Sequence, residues 1–204
     1  MKMRMSNIII IDWDDTLYPT TWMNNNKINL RDNIIKEKYM LFLKDLDKSI
    51  SNLLRNINKR GDIYIITNAS ISWIDTCLKT LPNTDDIIRN GNIRKISARD
   101  IYQNKYPAKE WKIITFGNLI KSIMTKINNE DVLNIISLGD ADYEYNALIN
   151  LENIINRNKY LLKSIKFISK PEYNYILDQL HFINNNHNNI INKIGFIDLI
   201  IDVK

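Results

Sequence analysis

Acidic residues crowd together where one apolar segment ends. Four isoleucines, Ile8 to Ile11, are followed at once by Asp12, Asp14 and Asp15. Crowded carboxylates repel one another, so such a cluster needs a cation or a functional reason. A carboxylate can act as the nucleophile toward a phosphoryl group, and a second acid can donate and later accept a proton. The segment therefore contains the residue types that phosphoryl transfer requires.

Three further segments contain residue types that would complete such a site. They are Thr67-Asn68 after the apolar run 63–66, Gly139-Asp140 with Glu144 after the run 133–138, and Trp111-Lys112 shortly after Pro107. Mg²⁺ binds oxygen ligands and is commonly held by one or two carboxylates together with a substrate phosphate. A lysine can stabilise the equatorial oxygens during phosphoryl transfer. The set therefore indicates phosphoryl chemistry assisted by Mg²⁺.

The elements that must position these residues can be predicted from the apolar pattern. Short apolar runs predict strands over 8–11, 63–66, 93–96, 133–138, 165–168 and 197–203. Helical spacing predicts one or two helices over 34–57 and further helices over 71–81, 107–127, 142–155 and 171–183. Pro82 is expected to end the helix over 71–81, and the asparagine-rich tract 184–189 is expected to be a loop or a helix end.

Strands that alternate with helices predict the fold class. The expectation is an α/β fold with a doubly wound, Rossmann-like parallel sheet and helices on both faces. Ligands of such sheets bind beyond the carboxyl ends of the strands. The acids after the runs 8–11 and 133–138, and Thr67 after 63–66, all fall at that edge.

Length and composition suit one soluble domain. The 204 residues, 45% of them hydrophobic, predict a single domain over 1–204. Cys77 is the lone cysteine, so no disulfide can form within the chain, which favours a reducing, cytoplasmic setting. No apolar stretch approaches the ~20 residues of a membrane span. The net charge of +5 is scattered, so it does not mark a nucleic-acid-binding arm.

With these motifs in order, the chain resembles the haloacid-dehalogenase-like (HAD) superfamily of phosphatases. Motif I is matched by Asp12-x-Asp14-x-Thr16-Leu17, motif II by Thr67, motif III by Lys112, and motif IV by Gly139-Asp140 with Glu144. The chain also resembles a eukaryotic-type subgroup with the motif Trp-Asp-Asp-Thr-Leu. That similarity includes the segments 12–22, 66–69, 96–99 and 111–112. It runs from about residue 8 to 148 and continues weakly through 165–180.

The resemblance implies the roles of the acids. Asp12 would be the nucleophile and a metal ligand. Asp14 would be the general acid and base, with its backbone carbonyl on the metal. Asp140 would hold Mg²⁺ directly or through water. Glu144 stands where many members carry Asp, and its longer side chain leaves two alternatives, a place in the metal shell or support of Asp140.

The resemblance also implies how the phosphoryl group is held. Thr67 and the amide of Asn68 would bind its oxygens, and Lys112 would pair with both the nucleophile and the phosphate. Lys109 is an alternative to Lys112, which is preferred because of the Trp111-Lys112 pairing. Arg99 has two open roles, contact with an anionic substrate or a structural ion pair.

The lengths between the motifs predict a minimal cap. Neither the interval from Asp12 to Thr67 nor that from Thr67 to Lys112 has room for a full cap domain once the core's own helices are placed. We therefore expect an open site with at most a small lid over 18–30. Such a site admits a phosphorylated macromolecule, either a phosphoprotein or a nucleic-acid end, and no membrane partner is expected.

Other functions and simpler structural roles remain in competition. A nucleic-acid end phosphatase or phosphotransferase is one alternative function, and a non-catalytic HAD-fold binding protein is another. Asp14 or Asp15 is a candidate helix cap, and so is Asp142. Trp73 and Trp111 lie in amphipathic segments and are expected in the core.

Overall fold

A computed structural model describes residues 4–128, 131–155 and 160–201, and in these residues six parallel strands form one sheet. The strands are Met5–Ile11 (β1), Asp62–Thr67 (β2), Arg94–Ser97 (β3), Val132–Gly139 (β4), Tyr160–Lys166 (β5) and Ile197–Ile200 (β6). Their order across the sheet is β3-β2-β1-β4-β5-β6. The prediction of a doubly wound, Rossmann-like α/β fold is therefore confirmed.

Helices connect the strands. They are Thr20–Asn25 (α1), Asn33–Lys38 (α2), Met40–Asn58 (α3), Ile71–Leu78 (α4), Pro82–Asn90 (α5), Ala98–Tyr102 (α6), Ala108–Met124 (α7), Asp142–Asn150 (α8) and Tyr173–Asn192 (α9). The short α1 lies inside the segment 18–30 that was predicted as a lid. Within the described ranges, no helix combines the length and the apolar character that crossing a bilayer requires.

Both faces of the sheet are buried, and the isoleucines of β1 contribute side chains to the core layer on each face. Ile9 and Ile11 belong to a core layer shared with α3, α4, α5 and α9. Ile8 and Ile10 belong to the opposite layer, against α7 and α8. Successive side chains of a strand point to opposite faces, so an unbroken apolar run is the pattern that a central parallel strand needs. This burial fixes the position at which β1 ends and therefore the position of Asp12.

The prediction that Pro82 ends a helix is wrong. Helix α4 already ends at Leu78, and Pro82 is the first residue of α5. Proline suits that position because its missing N–H would have no partner inside the helix. The other free N–H groups at the start of α5 are bound by Asp47 of α3, whose carboxylate accepts from the backbone of Asn83 at 3.0 Å and of Thr84 at 2.8 Å.

The asparagine-rich tract 184–189 is helical, contrary to the prediction of a loop or helix end. Helix α9 continues through it to Asn192 because Ile190 and Ile191 beyond the tract are buried against the sheet. Lys163 of β5, itself fully buried, donates to the carbonyls of both isoleucines at 2.8 Å. An ammonium group at these free carbonyls stabilises the carboxyl end of the helix.

Asp47 provides a test of this packing away from the sheet edge. Asp47→Ala leaves donors of the buried Thr84 and of Asn83 without an acceptor, so we expect the free energy of unfolding to fall by about 2–4 kcal/mol. Urea denaturation followed by circular dichroism measures the loss. Asp45→Ala, two residues earlier on the exposed side of α3, is the control and should change stability by less than ~0.5 kcal/mol. Equal stability of the two variants would contradict the capping role.

Candidate active site

The carboxyl ends of three neighbouring strands bring the predicted residues together. Asp12 follows β1 directly, Thr67 is the last residue of β2, and Asp140 follows β4 directly. β1 lies between β2 and β4 in the sheet. The backbone N–H of Asp12 donates to the carbonyl of Leu138 at 2.9 Å, which holds the first loop against β4.

A buried ammonium group connects the first loop to the last motif. Lys112, in the second turn of α7, lies with its Nζ 2.7 Å from Asp12 Oδ1 and also forms an ion pair with Glu144 Oε1. The three residues are only 2%, 6% and 4% exposed, respectively. Lys109 is exposed on the same helix. The geometry therefore favours Lys112 over Lys109 as the lysine of this site.

Three carboxylates at this edge have the arrangement of a cation site. Oxygen atoms of Asp12, Asp140 and Glu144 all lie within 4.8 Å of one another. Glu144 thus reaches the cluster itself, and its other oxygen accepts from the backbone N–H of Ala141 at 3.1 Å. Ser169 donates to Asp140 Oδ2 at 3.3 Å. The side chain of Asp14 is outside this cluster, so the metal role predicted for Asp14 rests on its backbone carbonyl.

The charges of this cluster do not balance. Burial raises the pKa of Asp140 to about 7, and the neighbouring carboxylates of Glu144 and Asp15 add to the shift. Burial also raises the pKa of Asp12, although Lys112 opposes the change. Burial alone would lower the pKa of Lys112, but Asp12 and Glu144 outweigh it and the net shift is upward. One ammonium group therefore offsets only part of three carboxylates, and an all-oxygen set of this kind fits a hard divalent cation.

Gly139 makes the approach of Glu144 possible. A Cβ atom added at Gly139 would lie 2.2 Å from Cγ of Glu144, far inside van der Waals contact. Any other residue at this position would therefore displace the carboxylate that binds Lys112 and Ala141. This close packing is a physical reason for the Gly139-Asp140 pair at the end of β4.

The carboxylate of Asp14 is held at the mouth of the site by three donors. Trp73 Nε1 donates to Asp14 Oδ1 at 2.9 Å, and the hydroxyl of Thr20 donates to the same oxygen. The hydroxyl of Thr67 lies 3.4 Å from Asp14 Oδ2 and accepts from the backbone N–H of Ala69 at 2.9 Å. Asp14 is half-buried, in contrast to Asp12. It is thus oriented by its neighbours while still able to exchange protons with solvent.

Asn68 lies directly after Thr67 and is also half-buried. Its Oδ1 atom is buried, and within the described part of the chain it has no hydrogen-bond partner. The roles of Thr67 and Asn68 in binding phosphoryl oxygens stay predictions, with both residues at the expected edge of the sheet.

The third acid of the first loop has a structural role. Asp15 adopts a left-handed conformation with φ of 54° and accepts from the backbone N–H of Thr21 at 2.8 Å as well as from its hydroxyl. It therefore anchors the first turn of α1 from outside the helix, but the capping residue is Pro19, so the prediction that Asp14 or Asp15 caps a helix is wrong. The same prediction for Asp142 is wrong, because Ala141 is the capping residue and the exposed Asp142 side chain pairs with Lys166.

Sequence reasoning missed the role of Trp73. It was expected in the core, but it is only partly buried and its indole N–H binds Asp14. The prediction that places Trp111 in the core is wrong: it is only partly buried, belongs to neither core layer, and donates to the carbonyl of Tyr106 at 2.7 Å. A tryptophan N–H needs an acceptor when it is shielded from water. Trp73 lies in the first turn of the helix that follows Thr67 and Asn68, and that proximity was the available signal.

Arg99 lies on the exposed surface of α6. Its Nε donates to Gln103 Oε1 at 3.4 Å, one turn along the same helix, and none of the ion pairs found among the described residues includes it. The structural ion pair that was one of its two predicted roles is therefore not formed with any described residue. Contact of Arg99 with an anionic substrate stays a prediction.

The chain matches no protein-family model, no curated protein and no solved structure. Its function must therefore be argued from its own residues and their geometry.

Proposed function

We propose that this protein is a Mg²⁺-dependent phosphomonoester hydrolase of the HAD type, with Asp12 as the nucleophile. The observation that carries the proposal is the buried cluster at the carboxyl edge of β1 and β4. There Asp12 is paired with Lys112 at 2.7 Å and lies beside the carboxylates of Asp140 and Glu144. The fold supports the same assignment, because open parallel sheets bind ligands at this edge.

In the first step, a carboxylate oxygen of Asp12 attacks phosphorus and forms an aspartyl phosphate. The bond between phosphorus and the ester oxygen breaks, and that oxygen leaves with its electron pair. Asp14, held at the mouth by Trp73 and Thr20, supplies the proton that converts it to an alcohol.

In the second step, a water molecule attacks the phosphorus of the aspartyl phosphate. Asp14, now ionised, accepts a proton from this water. The bond between phosphorus and Asp12 breaks, which regenerates the Asp12 carboxylate and releases inorganic phosphate. The same carboxylate thus serves first as acid and then as base, and its half-exposed position allows both.

The surroundings of Asp12 offset the repulsion between nucleophile and phosphate. The Lys112 ammonium lies against Asp12 inside the site, where burial strengthens its interaction with phosphoryl oxygens. Asp12, Asp140 and Glu144 would hold Mg²⁺, which supplies positive charge at the transferring group. Thr67, the last residue of β2 and a neighbour of Asp14, and Asn68, which follows it, would bind the remaining phosphoryl oxygens.

Loss of the nucleophile tests the mechanism directly. Asp12→Asn should lower the hydrolysis of p-nitrophenyl phosphate in Mg²⁺ by about a thousandfold or more, since the aspartyl phosphate cannot form. Chelation of the metal should have a comparable effect on the wild-type protein. Asp142→Asn is the matched control because this acid is exposed and pairs with Lys166 outside the cluster. Hydrolysis by purified Asp12→Asn at the rate of the control would overturn the mechanism.

Metal binding can be tested without any reaction. A cation that binds only the folded protein raises its melting temperature. We expect Mg²⁺ to raise the Tm of the wild-type protein, and Asp140→Asn to require roughly tenfold more Mg²⁺ for the same rise, as loss of a ligand implies. Differential scanning fluorimetry over a Mg²⁺ titration measures both. A superimposable titration for the wild-type and Asp140→Asn proteins would remove Asp140 from the ligand set.

A further inference from the structure

A groove of about 630 Å³ lies between the lid and the start of α4. One wall is formed by residues 24 and 27–30 of the lid together with Arg31, the residue that follows the lid. The other wall is formed by Ser70, Ser72, Trp73 and Thr76. We call it the lid groove. Its walls combine hydroxyl groups, an indole ring and two cationic side chains, Lys27 and Arg31, and no acidic residue lines it.

The lid groove adjoins the mouth of the site on the side of Asp14. Trp73 forms part of its wall, and the indole N–H of this residue is the donor that binds Asp14 Oδ1 at 2.9 Å. In the proposed reaction, Asp14 gives its proton to the departing oxygen. A group attached to that oxygen must therefore lie on the Asp14 side of the site, which is the side on which the lid groove opens.

Among the described residues, neither cation of the lid groove forms an ion pair. Most other described lysines and arginines are also unpaired, so the feature that marks Lys27 and Arg31 is their common place in a groove that no carboxylate lines. Two cationic residues in the wall of one groove without a carboxylate give it a positive potential, which would stabilise an anion bound there.

The backbone at Lys27 makes a lysine an unusual residue there. Its φ is 53°, in the left-handed region, where a non-glycine residue costs about 1 kcal/mol. The turn at this point is closed by the backbone, since the N–H of Lys27 donates to Asn24 and that of Ile28 donates to Met23. Glycine or asparagine would make the same turn at lower cost. Lys170 has the same conformation, with φ of 53°, so the backbone alone does not distinguish Lys27; what distinguishes it is its place in the wall of the groove.

The lid is held in place before any ligand binds. Asp15 anchors Thr21 at the start of α1, and Met23 is buried in the core. Trp22 packs against Tyr39 and Tyr173, with ring centroids 5.9 Å and 5.1 Å apart. A groove built on such fixed walls binds its ligand with little loss of conformational entropy.

We propose that the lid groove binds a second phosphate group, so that the preferred ligands are phosphomonoesters whose leaving group carries another phosphate. The proposal rests on the proposed function for the position of the first phosphate, beside Asp12 and Lys112. A phosphate offers several acceptor oxygens and up to two charges, so it can use the ammonium of Lys27, the guanidinium of Arg31 and the serine hydroxyls together.

Binding to an inactive protein tests this preference independently of turnover. In the Asp12→Asn protein with Mg²⁺, we expect thymidine 3′,5′-bisphosphate to bind roughly tenfold more tightly than thymidine 3′-monophosphate at low ionic strength. Isothermal titration calorimetry measures both Kd values. A 3′-phosphorylated dinucleotide and a longer 3′-phosphorylated oligonucleotide extend the comparison. Further gain with length identifies a nucleic-acid end as the source of the second phosphate, and no gain identifies a small bisphosphate.

Paired variants assign the preference to the lid groove. Lys27→Asn with Arg31→Met should reduce the preference for the bisphosphate to about twofold or less, and asparagine keeps the left-handed turn at low cost. Lys36→Met with Lys44→Met removes the same charge from exposed positions that do not line the groove, and should leave the preference intact. Equal Kd values for the two nucleotides, or equal effects of the two variant pairs, would overturn the proposal.

Turnover of p-nitrophenyl phosphate separates the two proposals. This substrate has one phosphate, so the groove variants should hydrolyse it within about twofold of the wild-type rate. Retained hydrolysis without a bisphosphate preference overturns the groove proposal alone. A preference that depends on Lys27 and Arg31, in a protein without hydrolysis, overturns the hydrolase proposal and leaves the groove as a phosphate site.

Discussion

The Lys112 ammonium, buried between Asp12 and Glu144, is the interaction on which the rest of the site depends. Removing a charge from water is costly, and only close partners of opposite charge offset that cost. Lys112 therefore requires α7 to pack closely against the loops after β1 and β4. Gly139 is part of the same constraint, because only a residue without a side chain lets Glu144 approach. The contacts of Lys112 with Asp12 and Glu144 thus determine both how α7 packs and how the charges are arranged at the edge of the sheet.

The three acids in the loop after β1 have different surroundings and different roles. Asp12 is buried with Lys112, Asp14 is held half-exposed by Trp73, and Asp15 anchors the start of α1 through Thr21. Three adjacent carboxylates in one environment would repel one another without benefit. The loop limits this repulsion because each of the three carboxylates is bound by a different set of donors. A left-handed residue at Asp15 allows the chain to turn sharply enough to separate them.

Much of this arrangement could be predicted from the sequence, because an apolar run such as Ile8 to Ile11 predicts both a buried strand and the edge at which it ends. Contacts between distant residues outside the recognised motifs could not be predicted. The start of α5 depends on Asp47, which is far away in the chain, and the end of α9 depends on Lys163. The bond from Trp73 to Asp14 depends on the angle at which α4 leaves the sheet. The spacing of apolar residues indicates which residues are buried. The roles of Asp47, Lys163 and Trp73 depend instead on which helix or strand packs against each of them.

The net charge of +5 is unevenly distributed at this edge of the sheet. The acid cluster is negative, whereas the lid groove is positive. The floor of the site has an excess of carboxylates that repels an anionic substrate, and burial prevents water from screening that repulsion. Lys112 and a divalent cation would make the electrostatic potential positive at the position where Asp12 attacks phosphorus. Lys27 and Arg31 lie in the wall of the adjoining lid groove, on the side of Asp14. For a substrate whose charge extends beyond the reacting group, the cations of the groove would therefore offset part of the repulsion from the floor.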